Sequence, residues 1–394
     1  MISFDEALRR VLEIAAPIAL ETIAFADAAD RVLAEPVVAR LSMPRQDVSA
    51  MDGYAVRDCD LGDLPVRLPL EGESTAGTPP GQVLPPRSAF RIFTGAPVPV
   101  GADRVIVQEN VEREGDCVAI VRPYGPGRNI RIAGSDFREG DVLVPAGRRL
   151  DWRALTTAAA ADQPVLRVFV RPNVAIIATG DELATPGNAA GIPGTIPESV
   201  SYGIAAFVRK EGGAVLWSRR SADDTRLLSE LAVAALEEAD LVVVIGGASV
   251  GDRDLSRTMF GEAPDYIFPR VAMKPGKPVW LARIRGRLVM GLPGNPTSAL
   301  VTARLLLAPL LAGQCGRDAA RSVTFEDWRL AADVPAAGDR ETYVRARITP
   351  EGALPLGSQD SSSQASLLDA DLLVRLRSGG SAFQAGDYVP AIRF

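Results

Sequence analysis

The stretch LVVVIGGASVGDRD, residues 241–254, decides how the chain must fold. Leu241 to Ile245 form an unbroken apolar run, the pattern of a strand covered on both faces. The run ends in Gly246 and Gly247, passes Ser249 and Gly251, and meets Asp252, Arg253 and Asp254. Strands of this kind belong to parallel sheets flanked by helices, where ligands bind beyond the carboxyl ends of the strands. Glycines let the backbone approach a ligand, and successive N–H groups can form an anion-binding nest. The Ser249 hydroxyl can bond a phosphate or another oxyanion. Carboxylates beside such a cradle make sense once Mg²⁺ lies between them and the phosphate. The stretch therefore reads as a strand delivering a phosphate cradle together with the acids that hold its counter-ion.

The surroundings repeat this rhythm. NVAIIATG (173–180) and GAVLW (213–217) are further apolar strands, and helices are predicted at about 199–211, 223–239 and 296–312. Asp223 or Asp224 would cap the second of these helices, and Pro296 is placed to open the third. The alternation predicts a doubly wound parallel sheet over residues 171–315. Its first strand ends in Thr179-Gly180-Asp181-Glu182, a second loop of glycine and carboxylates. Lys274 and Lys277 sit in MKPGKP, where Pro275, Gly276 and Pro278 stiffen the backbone that carries them.

The flanks differ in texture. Residues 3–15 predict an amphipathic helix with Ser3 and Glu6 at capping-box spacing. From about 45 to 150 the chain shows short alternating runs between Gly- and Pro-rich turns, the pattern of an all-β domain. Asp151 predicts the cap of a helix that packs with the N-terminal one. The tail from about 318 returns to short strands.

Composition excludes several chemistries. The 394 residues contain no histidine, which removes imidazole bases, Ser-His-Asp arrangements and most zinc sites. Any metal must then be a hard one held by oxygen, which points to Mg²⁺. Only three lysines stand against forty arginines, so the Lys274/Lys277 pair suggests a site that needs compact ammonium charges. Net charge is −6 and no basic stripe appears, so no nucleic-acid surface is expected. No apolar run is expected to reach transmembrane length, and no membrane contact is expected. Three scattered cysteines, Cys59, Cys117 and Cys315, build no disulfide framework, so a reducing, cytoplasmic setting is expected.

Seven motifs stand in one order: SAMDGYA (49–55), TGAPVP (94–99), RIAGSD (131–136), TGDEL (179–183), GGASVGDRD (246–254), KPGKP (274–278) and GLPGNP (291–296). In order and spacing they resemble the molybdopterin molybdenumtransferases (MoeA), whose eukaryotic relatives are of the gephyrin E-domain type. The resemblance spans about residues 1–390. It implies a multidomain α/β-plus-β architecture of four parts: a discontinuous elongated helical dimerisation domain (1–46 and 141–170), an inserted β domain (47–140), an α/β molybdopterin-binding-like domain (171–315) and a C-terminal β-barrel (316–394). It also implies a homodimer whose active site is shared between subunits.

The implied reaction inserts molybdenum from molybdate into adenylylated molybdopterin, with Mg²⁺-dependent release of AMP. Molybdopterin adenylyltransferase and molybdoenzyme apoproteins would be transient partners. Motif by motif, Glu182, Asp224 and Asp254 would lie at the metal and the phosphates. Asp52 and Asp136 would act from the β domain with Thr94 in support. Thr179, Gly180, Asp181, Gly246, Gly247, Gly251, Pro293 and Pro296 would line the substrate. Ser249, Lys274 and Lys277 would hold molybdate, with Arg345 and Ser361 closing that pocket from the C-terminal domain. One departure stands out. Relatives commonly carry Asp-Thr-Asn-Arg or Asp-Ser-Asn-Arg after the TGDEL loop, and this chain reads Glu198-Ser199-Val200-Ser201. That leaves a non-catalytic or divergent molybdopterin-binding paralogue as the alternative, with molybdopterin adenylylation as a second rival activity.

Overall fold

The computed structural model describes residues 1–247, 255–261 and 263–394. Its centre is a six-stranded sheet in the order Ala214–Ser221, Asn173–Thr179, Leu241–Ile245, Arg287–Leu292, Trp280–Ile284, Asp265–Phe268. The first four strands run parallel. Trp280–Ile284 runs antiparallel to both of its neighbours, so the doubly wound parallel sheet carries one reversed strand near its edge. The cause is local. Arg285 and Gly286 both take positive φ, 49° and 78°, the two-residue hairpin turn that matches strand twist.

Side chains alternate along the central strands. Ile176, Ala178, Val243 and Ile245 pack with the helix Val200–Lys210 and the long helix beginning at Pro296. Ala175, Ile177, Val242 and Val244 face the helix Thr225–Glu238 through Leu228, Ala232 and Leu236. The chain enters at Asn173–Thr179, moves to one side for Ala214–Ser221, then crosses to Leu241–Ile245 on the other. The strand order therefore reverses between Thr179 and Ile245, where a doubly wound sheet opens its ligand crevice.

The helix Pro296–Gln314 is 19 residues long and apolar enough to cross a membrane, against the expectation that no run reaches that length. It is a core helix: 83% of its apolar window is buried within the protein, and an all-round apolar helix is what a central position requires. A π-helical turn, Ala303–Leu307, interrupts it just before Pro309, which has no N–H to donate and needs room for its ring.

The N-terminal helix Phe4–Ile14 is capped by Ser3, which accepts from the Glu6 N–H at 3.2 Å. Phe4, Ala7 and Val11 enter the core of the α/β unit beside Leu310 and Leu311. This corrects the expected pairing of the two flanking helices. The helix Trp152–Ala160, capped by Asp151 through the Ala154 N–H at 2.8 Å, packs instead in a separate core with Leu33, Val37, Val144 and Val168. That core is completed by two antiparallel pairs, Leu20–Ala24 with Val165–Phe169 and Val37–Val38 with Val142–Val144. The discontinuous unit is thus a mixed one with a single α-helix of its own.

Residues 53–120 carry a six-stranded sheet with two small cores, one around Val56, Ile106 and Val118 and one around Leu84, Ile92 and Val105. The C-terminal strands Glu326–Arg329, Glu341–Thr349, Gly352–Pro355, Leu372–Leu376 and Tyr388–Arg393 form the expected barrel. A bridge from Leu330 to Ala353 closes the ring over Val344, Val374 and Val389.

Candidate active-site cleft

A cleft of about 1160 Å³ opens at the carboxyl ends of the parallel strands, at the crossover point. Three strand ends form its floor: Thr179-Gly180, Ile245-Gly246-Gly247 and the Pro293-Gly294 turn. Gly246 has φ 88°, and a Cβ there would stand 2.5 Å from the Thr179 carbonyl oxygen. The two strand-end loops are therefore in backbone contact, and only glycine permits it.

Glu182 and Asp223 bring carboxylates to this floor. Glu182 folds back over Gly180, so that a Cβ on Gly180 would lie 2.6 Å from its Oε2. Asp223 accepts the Thr179 hydroxyl at 2.6 Å, and its own N–H donates to Asp181 at 2.9 Å. Asp181 does not line the cleft; it holds the neighbouring loop. Asp224, the expected metal ligand, is spent elsewhere. It caps the helix Thr225–Glu238, accepting from the Leu227 N–H at 2.9 Å. The correction has a simple origin: of two adjacent aspartates at a helix start, the one in the cap position turns to the helix and its predecessor is left facing the crevice.

Lys274 and Lys277 line the opposite wall. Both are exposed, and neither joins an ion pair among the described residues. Gly276 between them has φ 111°, and a Cβ there would fall 2.3 Å from Thr302 of the long helix. The lysine loop is thus packed onto that helix. Pro296 also lines the cleft, above the Pro293-Gly294 turn of the floor, and takes the first position of the helix with Asn295 as its cap residue.

The third wall comes from the C-terminal barrel. Ser361 lines the cleft and accepts from Asn295 Nδ2 at 3.1 Å. Arg345 does not line it. The residue is 1% exposed, and its guanidinium donates to the Thr297 hydroxyl at 2.7 Å and to the Ser358 and Asp360 carbonyls at 2.9 and 3.1 Å. Burial pushes its pKa below the usual guanidinium value, with Asp360 acting in the opposite sense. Arg345 therefore holds the loop that carries Ser361 rather than closing the pocket itself.

The departure at 198–201 is a self-contained cap. Glu198, 4% exposed, accepts from the Ser201 N–H at 2.8 Å and the Ser201 hydroxyl at 2.5 Å. Val200 is buried, and Ser199 reaches the barrel loop at Gln364, 3.3 Å away. Arg340 and Asp360 are cleft residues that no motif contains, and Glu198, Asp223 and Asn295 stand in stretches already noted without having been expected at the site.

Asp52, Thr94 and Asp136 are not brought to this cleft. Asp52 accepts both the N–H and the hydroxyl of Thr94, at 2.7 and 2.8 Å, and those two donors hold its carboxyl below the ordinary aspartate value. Asp136 is exposed, with its N–H on the Met43 carbonyl at 3.0 Å. Ser249, Gly251 and Asp254 lie outside the described residues.

Among the described residues no group of three or more His, Cys, Asp or Glu side chains is arranged to hold a metal. Mg²⁺ does not require one. It keeps several waters and is held by one or two carboxylates together with substrate phosphates. Glu182 and Asp223 match that donor set in kind and number.

Fold and cleft together define a multidomain α/β protein with a large polar crevice at the ends of a doubly wound sheet. Comparison with known proteins narrows the class. A family model described as "MoeA N-terminal region (domain I and II)" matches residues 2–161, "Probable molybdopterin binding domain" matches 175–313, and "MoeA C-terminal region (domain IV)" matches 327–394. The molybdopterin molybdenumtransferase of Nostoc sp. is 36% identical over 322 residues, 80% of this chain and 74% of that protein. The protein of the same name from Bacillus subtilis is 32% identical over 407 residues, covering 99% of this chain and 94% of its own. The crystal structure of a molybdopterin biosynthesis MoeA protein from Pyrococcus horikoshii OT3 superposes over the whole of both chains with a TM-score of 0.83 at 26% identity. The chain belongs to the family of the molybdopterin molybdenumtransferases, transferases of the last step of molybdenum cofactor biosynthesis.

Proposed function

We propose that the protein inserts molybdenum from molybdate into molybdopterin presented as its adenylylated form, releasing AMP with Mg²⁺ present. The observation that carries this reading is the polarity of the cleft. Two ammonium groups with no ion pair among the described residues, Lys274 and Lys277, stand on one wall, and glycine loops with the Glu182 and Asp223 carboxylates stand on the floor. Molybdate is a compact tetrahedral dianion, and two freely rotating ammonium groups suit it better than planar forks. The pyrophosphate of the pterin nucleotide would lie over the Gly246-Gly247 loop, where the missing side chains let it approach the backbone closely.

Glu182 and Asp223 would hold Mg²⁺, joined by Asp254, which the motif reading adds and which lies outside the described residues. The ion would supply neutralisation of pyrophosphate charge as AMP leaves. The chain's own residues position the reactants: Thr179 orients Asp223, Asp181 fixes the loop that bears it, and Arg345 sets Ser361. Val200 and Ser201 supply no side-chain cation to the nucleotide, so more of its binding falls to the two lysines and the backbone.

Asp52, Thr94 and Asp136 fit the same reading as contributions across a homodimer, each acting at the cleft of the other protomer. Molybdopterin adenylyltransferase would hand over the nucleotide, and molybdoenzyme apoproteins would receive the product, in a reducing cytoplasm. The test is direct. The protein is incubated with adenylylated molybdopterin, Mg²⁺ and molybdate, and AMP is measured. Molybdate-dependent AMP release is expected. Binding without release would make the protein a scaffold, and adenylylation of free molybdopterin from ATP would make it the sister enzyme.

A further inference from the structure

The segment that carries the two lysines has its position set by both ends of the chain. On one side Ile2 bridges Val271 in parallel. The Ile2 N–H donates to the Arg270 carbonyl at 3.1 Å, and its carbonyl accepts from the Ala272 N–H at 2.7 Å. On the other side Met273–Lys274 adds to the barrel as a parallel edge strand, Met273 opposite Glu341 and Lys274 opposite Thr342. The Glu341 N–H donates to the Ala272 carbonyl at 3.2 Å.

Arg375 ties these two supports together. It is 9% exposed. Its Nε bonds the Glu341 carboxylate and its Nη2 bonds Asp5 of the N-terminal helix. Its guanidinium lies 5.1 Å from the ring centres of both Phe4 and Phe325. Tyr343 donates its hydroxyl to the same Glu341 at 2.8 Å.

We propose that Arg375 is a positioning residue for the anion site. By clamping Asp5 to Glu341 it fixes the frame between which residues 271–274 run, and so sets where Lys274 and Lys277 meet a dianion. The lysine loop has little freedom of its own, being stiffened by Pro275 and Pro278 and packed onto Thr302 at Gly276. What remains is its placement as a rigid piece, and the strands on either side determine that. Ammonium–oxyanion contacts act over short distances, so a small shift of the frame weakens both at once. Arginine is required here because one planar fork bonds two carboxylates on different elements while its faces stack on aromatic rings; lysine keeps the charge and loses that geometry.

The inference rests on the reading of Lys274 and Lys277 as the molybdate site, and its test separates the two. Full-length variants are assayed at saturating adenylylated molybdopterin with molybdate varied. Arg375→Lys is expected to raise KM for molybdate by about tenfold while kcat stays within about twofold, and Arg375→Gln to raise it further. Asp5→Asn removes one anchor at a half-exposed carboxylate and is expected to raise KM by about threefold, which keeps the test available if Arg375→Gln does not fold. Leu166→Ala, in the separate core of the discontinuous unit, serves as a destabilised control and is expected to lower Tm with KM unchanged. A raised KM in Lys274→Ala with an unchanged KM in both Arg375→Lys and Asp5→Asn overturns the positioning role alone. An unchanged KM in Lys274→Ala overturns the site reading beneath it. A KM that rises equally in Leu166→Ala reduces the Arg375 effect to general loss of stability and also overturns the proposal.

Discussion

The Thr179 hydroxyl donates to the Asp223 carboxylate at 2.6 Å, joining the end of the sheet's first strand to the turn that opens the helix Thr225–Glu238. With the bond from the Asp223 N–H to the Asp181 carboxylate, it locks two loops of the cleft floor in register. The two adjacent aspartates in that turn have different tasks, and substitution distinguishes them.

Asp223→Ala is expected to lower turnover by at least about a hundredfold with little change in unfolding midpoint. Asp224→Ala is expected to do the reverse, costing about 1 kcal/mol of stability as a lost helix cap while AMP release stays near the parent rate. Denaturant titration and the AMP assay on both variants measure this. A silent Asp223→Ala beside an inactive, stable Asp224→Ala would overturn the assignment.

Thr94→Val tests the pair in the β domain. It removes the hydroxyl donor to Asp52 and leaves the backbone one, so the Asp52 carboxyl should titrate at higher pH than in the parent. The sign follows from linkage. A depressed carboxyl contributes stability above its unfolded value and loses it as pH falls through the folded one, so the variant should lose that contribution at a higher pH. Carboxyl NMR of the two proteins gives the shift, and an unchanged titration would show that the hydroxyl is not a donor in solution.

Burial pushes the Cys315 thiol up to about 11, whereas Cys59 is exposed. Iodoacetamide at pH 8 should therefore label Cys59 in the folded protein and reach Cys315 only after unfolding. Because the folded value lies above the ordinary 9.0, this thiol's contribution to stability is complete below pH 9 and declines as pH rises toward 11. Mass spectrometry of the labelled peptides reads the outcome; early labelling of Cys315 would contradict the packing at the end of the long helix.

Gly246→Ala is expected to destabilise the protein by about 2 kcal/mol, since the new Cβ would meet the Thr179 carbonyl at a positive φ. Its effect on nucleotide affinity should be larger than that of an equally destabilising core variant. Equal losses in the two would separate the loop from the ligand.

Much of this was legible in residue patterns that report on local physics. The apolar runs at 173–179 and 241–245 are strands because they are covered on both faces, and Ser3, Asp151 and Pro296 mark helix starts through the backbone N–H groups that those starts leave over. What was not legible depends on contacts between distant segments. Nothing around Trp152 says that its helix packs apart from Phe4–Ile14, and nothing in YVRAR says that Arg345 turns toward Thr297 and the loop carbonyls. The choice of Asp223 over Asp224 turns on a helix boundary one residue wide, below the resolution of periodicity. Ser249, Gly251 and Asp254, prominent in the sequence, lie outside the described residues.

The most direct measurement is a crystal of the protein soaked with tungstate, a heavy isostere of molybdate, together with adenylylated molybdopterin. The account requires an anomalous peak within hydrogen-bond reach of the Lys274 and Lys277 ammonium groups, on the wall facing Glu182 and Asp223. Tungstate ordered at another site, with both lysines free of it, would contradict the account.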